Sequence, residues 1–167
     1  MGTTITVGIA DLKVGKGDDV LVTYALGSCV GICLYDAEKK IAGLAHIMLP
    51  LSKDAAATSK ATPENRRRYA DTGITELIQE MSFAGASTKN LTAKIAGGAQ
   101  MFAYGNAKSD MIRVGERNVI ASKKTLEKMK IPLLAEDTGD TYGRTVIFYP
   151  ATGVFTIRAV GKPEKNI

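Results

Sequence analysis

Apolar residues alternate at Ile5, Val7 and Ile9 and then crowd into three short runs, Val20 to Ala25, Val30 to Tyr35 and Ile41 to Leu49. Alternation with a period of two marks a half-buried strand, and short β-branched runs between polar breaks mark buried ones. The breaks are Lys13 to Asp19, which reads as a turn-rich loop with two glycines, a tight turn at Leu26-Gly-Ser28 and the polar link Asp36 to Lys40. Pro50 ends the last run. The expectation is a meander of strands. Leu51 to Glu64 has no period and reads as a loop, with Thr62 as N-cap and Pro63 as first residue of the helix that follows.

The period then changes. Ala70, Gly73, Ile74, Leu77, Ile78 and Met81 recur on one helical stripe, and Gly85 is the expected stop. Leu91 to Ala96 reads as a strand running into Gly97-Gly98-Ala-Gln-Met-Phe102. A second helix is expected over Glu116 to Met129, with Val119, Ser122, Leu126 and Met129 on its inner face. Pro132 to Ala135 reads as a short strand. Thr145 to Tyr149 and Val154 to Arg158 flank Pro150-Ala-Thr-Gly153 as a hairpin, and residues 161–167 read as a polar tail. Strands, helix, strand, helix and closing hairpin make an α+β layout rather than a regular βαβ alternation. No repeat or internal boundary divides it, so one domain over residues 1–167 is expected.

Composition narrows the class. The chain is 45% hydrophobic and 23% charged, as ordinary soluble domains are, and no window approaches the roughly 20 apolar residues of a membrane span. No basic leader followed by an apolar stretch opens the chain, so a cytoplasmic location is expected. The net charge of +5 is mild, its one dense run is Arg66-Arg-Arg68, and aromatics are only 6% without Trp. That argues for a solvated surface and against nucleic-acid binding.

The candidate chemistry lies in the first third. Both cysteines, Cys29 and Cys33, and the only histidine, His46, fall on neighbouring expected strands. Four residues along one strand set the two cysteines about 13 Å apart, beyond the roughly 7 Å a disulfide spans. Two cysteines and one histidine also fall short of a four-ligand structural zinc site. Free thiols follow, and an imidazole is the base best matched to a thiol near neutral pH. Gly27-Ser-Cys-Val-Gly31 has the form of a nucleophile elbow, but the elbow needs a helix next, and Val30 to Tyr35 is β-prone. The turn at Gly27-Ser28 would still expose Cys29 at a strand start, with backbone N–H groups nearby for an oxyanion. Cys33, between Ile32 and Leu34, reads as an inert core thiol. For Cys29 and His46 the residues alone leave two readings open, a reactive pair or buried core residues. Gly97-Gly98 lacks the ending of a phosphate loop and the third glycine of a dinucleotide fingerprint, and reads as a strand end with close backbone approach.

Leu26-Gly-Ser-Cys-Val30, Ala45-His-Ile-Met-Leu-Pro50, Tyr69-Ala-Asp-Thr-Gly73, Lys94-Ile-Ala-Gly-Gly-Ala-Gln-Met-Phe102, Gly115-Glu-Arg-Asn-Val119 and Gly143-Arg-Thr-Val146 together resemble the CheD family, the chemoreceptor glutamine deamidases of bacterial and archaeal chemotaxis. The similarity runs in order over most of the chain. One departure is Ala25, where the family pattern has a glycine.

The resemblance implies a layered, mixed-sheet α/β sandwich related to toxin deamidases, and a Cys–His–Thr site at Cys29, His46 and Thr23, with Thr23 on the adjacent strand orienting the ring. It implies a cysteine thioester route from glutamine to glutamate, with weak glutamyl methylesterase activity from the same nucleophile, and no metal or organic cofactor. The partners it implies are the cytoplasmic helices of methyl-accepting chemoreceptors and, in some species, a CheC-type phosphatase; a monomer is expected. A binding module that tunes the phosphatase is the rival reading, and Cys29→Ala separates the two, because it should abolish deamidation and leave docking.

Overall fold

A computed structural model describes residues 2–54, 62–101 and 113–167. Among the described residues ten strands form two five-stranded sheets, and two helices cover one of them. The first sheet has the order β1-β3-β8-β9-β10 and the second β2-β5-β4-β6-β7. Its strands are β1 (Thr4–Thr6), β3 (Val20–Leu26), β8 (Arg144–Tyr149), β9 (Val154–Arg158) and β10 (Lys165–Asn166). The second sheet contains β2 (Leu12–Lys16), β4 (Val30–Asp36), β5 (Ile41–Ile47), β6 (Thr92–Gly97) and β7 (Leu133–Thr138). Pairs β1/β3 and β6/β7 are parallel and the rest antiparallel, so both sheets are mixed. This is the expected α+β sandwich.

Two apolar layers hold it together. One lies between the sheets and contains Leu21, Leu26, Cys33, Ala42, Leu44, Ala96, Val146 and Phe148. The other lies between the second sheet and helices α1 (Ala70–Phe83) and α2 (Val114–Lys128), with Ile32, Leu34, Ile47, Ile74, Leu77 and Leu126. Strands β4 and β5 have a layer on each face, which is why they read as unbroken apolar runs rather than alternating ones.

Several expectations are corrected. The strands do not form one meander: between Leu26 and Val30 the chain leaves the first sheet and enters the second. Lys13 to Asp19 is not all loop, since β2 runs to Lys16 along the edge of β5; Leu12 is buried and Val14 half-buried, while Lys13 and Lys16 face solvent. The first strand stops at Thr6, and Ile9 is exposed. Thr62-Pro63 does not start α1. A turn and a short 3-10 segment at Arg66–Arg68 follow it, and Tyr69 is extended and bridged to Leu49 before the helix begins. The N–H of Ala70 is accepted by the Leu49 and Pro50 carbonyls, so strand-end backbone replaces a side-chain cap. Helix α2 begins at Val114, and its buried face carries Asn118, Ala121, Ser122 and Thr125, while Met129 is 39% exposed. Strand β7 continues past Ala135 to Thr138, and part of the expected tail is β10, paired with β9. Phe102 and much of the Leu51 to Glu64 loop lie outside the described residues.

The stripe of α1 is buried as expected, and Gly85 follows its end with φ +106°. Ala86 N–H returns to Met81 O and Gly85 N–H to Ser82 O, the paired bonds of a Schellman stop.

Candidate active site

The change of sheet builds the site. Leu21 and Thr23 of β3 face the inter-sheet layer, as do Ala42, Leu44 and His46 of β5. His46 is fully buried in a strand with no other polar side chain. Thr23, also fully buried, sits 2.8 Å from its Nδ1. Thr23 is therefore in the opposite sheet, across the sandwich from the histidine, and not on an adjacent strand.

The hydroxyl also lies 2.7 Å from the Val7 carbonyl, to which it donates. A hydroxyl has one proton, and a carbonyl can only accept. Thr23 Oγ1 must then accept from His46, so Nδ1 carries the ring proton and Nε2 presents its lone pair. That Nε2 is buried and has no hydrogen-bond partner among the described residues. The first sheet selects the tautomer in which the inner nitrogen is a base. Burial lowers the ring pKa from 6.5 to about 4, so the ring is neutral at physiological pH.

Cys29 lies just before β4 and packs against the inter-sheet layer. Gly31 pairs directly with His46, which sets Cys29 two residues along on the same face, diagonal to the histidine. Cys29 is half-buried and its thiol pKa is raised by burial. With the thiol pushed up and the ring pushed down, the resting pair is neutral thiol and neutral imidazole.

The turn before Cys29 is held by its carbonyls. Gly27 O accepts from Ala99 N–H at 2.8 Å, Ser28 O from Asn118 Nδ2 at 2.9 Å, and Cys29 O from Gly98 N–H at 2.8 Å. In a trans peptide the C=O and the next N–H point opposite ways, so the N–H groups of Ser28 and Cys29 point away from those partners. Gly27 N–H is taken by Ala25 O at 3.0 Å. Of the two expected turn residues, Ser28 offers a donor and Gly27 does not.

Gly97 and Gly98 explain how the backbone comes so close. Both have positive φ, +110° and +65°, and a Cβ on Gly97 would lie 2.3 Å from Cys29 O. The close approach read from the sequence is therefore real, and its object is the cysteine turn. Asn118, which also donates to Met48 O at 2.9 Å, was not legible as a site residue. Its signal was the run of small and polar residues at Gly115, Asn118, Ala121, Ser122 and Thr125, helically spaced and buried.

A second cross-sheet contact sits in the same row. His46, Gly31, Ala96 and Asp137 are successive register partners across β5, β4, β6 and β7. At the far end Arg144 of β8, fully buried, holds Asp137 at 3.2 Å. Thr23–His46 and Arg144–Asp137 thus pin the two sheets on either side of Gly31 and Ala96.

Cys33 is 1% exposed in the inter-sheet layer, with its thiol pKa raised well above the usual value by burial. Limited alkylation followed by peptide mapping should label Cys29 first and Cys33 only on unfolding; early labelling of Cys33 would reverse the assignment. Among the described residues no three His, Cys, Asp or Glu side chains group as a metal site requires, and no helix is long and apolar enough to cross a membrane.

A family model described as CheD chemotactic sensory transduction matches residues 48–159. Over 167 residues, all of both chains, this one is 51% identical to a protein of Lachnoclostridium phytofermentans named probable chemoreceptor glutamine deamidase CheD. A protein of the same name from Caldanaerobacter subterraneus is 50% identical over 98% of this chain and 97% of its own. The chemoreceptor glutamine deamidase CheD of Halalkalibacterium halodurans is 47% identical over the full length of both. The family model starts after His46, so likeness over the segment with Thr23, Cys29 and His46 comes from these relatives.

Proposed function

The chain belongs to the CheD family, and on that footing we propose that it deamidates glutamine side chains of chemoreceptors, with Cys29 as nucleophile and His46 as acid–base. The observation that carries the residue assignment is the His46 ring, neutral and fixed by Thr23 with an unpartnered Nε2 facing the layer against which Cys29 packs.

The Cys29 Sγ–H proton moves to His46 Nε2 as sulfur attacks the carboxamide carbon of the glutamine. The resulting oxyanion is held by the N–H groups of Ser28 and Cys29. As the tetrahedral intermediate collapses, the imidazolium returns its proton to nitrogen, and ammonia leaves a thioester. Water, deprotonated by Nε2, attacks that thioester; the C–S bond breaks, sulfur regains its proton, and glutamate is released. Glutamine and water have become glutamate and ammonia. Thr23 accepts from Nδ1–H throughout; being neutral, it stabilises the imidazolium less than a carboxylate would. The lowered ring pKa matches a site that transfers the thiol proton during attack rather than storing a thiolate.

The reading extends to a monomeric, cytoplasmic chain that meets receptor cytoplasmic helices, and to a CheC-type phosphatase as a further partner. Incubating the protein with a receptor cytoplasmic fragment and mapping peptides by mass spectrometry tests the reaction. The small mass gain of acid over amide should appear at defined glutamines and be absent with Cys29→Ala. An unchanged gain with that variant would remove Cys29 from the chemistry.

A further inference from the structure

Asn118 lies on the inner face of α2 and is fully buried. Its neighbours on that face satisfy themselves within the helix: Ser122 donates to Asn118 O and Thr125 to Ala121 O. Asn118 instead reaches out, and its Nδ2 donates to Ser28 O and Met48 O, each at 2.9 Å. Both partners are carbonyls, so the amide orientation is fixed: NH2 toward them, Oδ1 away. Oδ1 is buried without a partner among the described residues. Leaving a buried acceptor unpaired is destabilising, so the amide is a poor choice for stability alone.

What the two bonds join is informative. The β4/β5 ladder ends at Val30 and Ile47. Ser28 and Met48 lie just beyond that end, one residue from Cys29 and two from His46. Gly98 and Ala99 tie the cysteine turn to the end of β6, whereas Asn118 ties it to the end of the histidine strand. We propose that Asn118 is a positioning residue for deamidation: its two N–H groups hold the Cys29 turn and the end of β5 at one separation, so that sulfur and Nε2 meet. The inference rests on the reading of Cys29 and His46 as the reacting pair.

The test uses Asn118→Ala, Asn118→Ser and Cys29→Ala in the full chain, with a receptor cytoplasmic fragment as substrate. Melts fix a temperature at which each variant is folded. In the Ala variant kcat should fall about 10²-fold, the order that a misplacement near 1 Å produces, with KM unchanged. The pH profile of Cys29 alkylation by iodoacetamide should move to that of a His46→Ala protein. Ser, which keeps a donor and leaves more of the site filled, should lie between wild type and Ala, and it carries the test if Ala does not fold. Wild-type kcat in a folded Ala or Ser variant would overturn the proposal, as would a loss that follows the unfolded fraction with an unmoved alkylation profile. If Cys29→Ala still deamidates, the underlying pair reading has failed; if it is inactive while the Asn118 variants run at full rate, only the positioning role has.

Discussion

His46→Ala should lower the deamidation rate by about 10²–10⁴, the usual contribution of a positioned acid–base group, while the protein still folds. In the proposed route the ring is the base for the thiol and the acid for departing ammonia, and the chain has no second histidine to replace it. The same variant should change how stability depends on pH. The folded ring has a pKa lowered to about 4 from 6.5. Between those values the unfolded chain binds a proton that the folded chain refuses, so stability rises with pH across that window and is lost as pH falls toward 4. For a ring buried to this degree the term is of order 3 kcal/mol. Melts of both proteins from pH 4 to 7 would show a shallower acid limb in the variant. Asp11, held below its usual range by the Leu12 N–H and Arg67, and Glu136, held down by Lys123, titrate in both proteins and drop out of the difference. Normal deamidation in the variant would make His46 a packing residue, and an equally steep acid limb would show that folding does not lower the ring pKa.

Gly97→Ala should be almost as damaging, from a residue with no reactive group. The position has φ +110°, which an L side chain rarely adopts, and the new methyl would meet Cys29 O at 2.3 Å. The backbone strain alone is worth about 1–3 kcal/mol. The clash is with backbone, so the cysteine turn must move, and a shift near 1 Å at the reacting atoms costs about 10²-fold in rate. Gly161→Ala is the control: its φ is +74°, yet nothing lies within 4 Å of the added Cβ. Gly161→Ala should lose a little stability and keep its rate, whereas Gly97→Ala should lose both. Matching rates for the two would show that the turn tolerates displacement.

The strands and helices with strong periodic patterns were legible, and so was the turn that carries Cys29 ahead of a β-strand. The β2 strand was hidden because Lys13, Gly15 and Lys16 dilute its apolar positions on an edge where one face meets solvent. The start of α1 was misplaced because Thr62-Pro63 carries the local signature of a helix start, while the real start is secured by carbonyls from Leu49 and Pro50, close in space rather than in sequence. Sheet membership was lost for a related reason. A run such as Val20 to Leu26 shows that it is a strand, not which sheet it joins, so Thr23 was assigned to the neighbour of the histidine strand rather than to the layer opposite. Asn118 was missed because an asparagine in a helix looks like a surface residue until the strand-end carbonyls it holds are in view.

The bond between Thr23 and His46 spans the sandwich, and this has a consequence for how the protein matures. His46 and the strand that follows Cys29 belong to one sheet; the group that decides which ring nitrogen is basic belongs to the other. A chain in which only the second sheet had formed would hold a cysteine and a histidine near each other, with the imidazole free to sample either tautomer. On the proposed reading of Cys29 and His46, competence for chemistry is therefore a property of the docked pair of sheets, and a chain with only the second sheet carries its thiol beside a ring of unfixed tautomer.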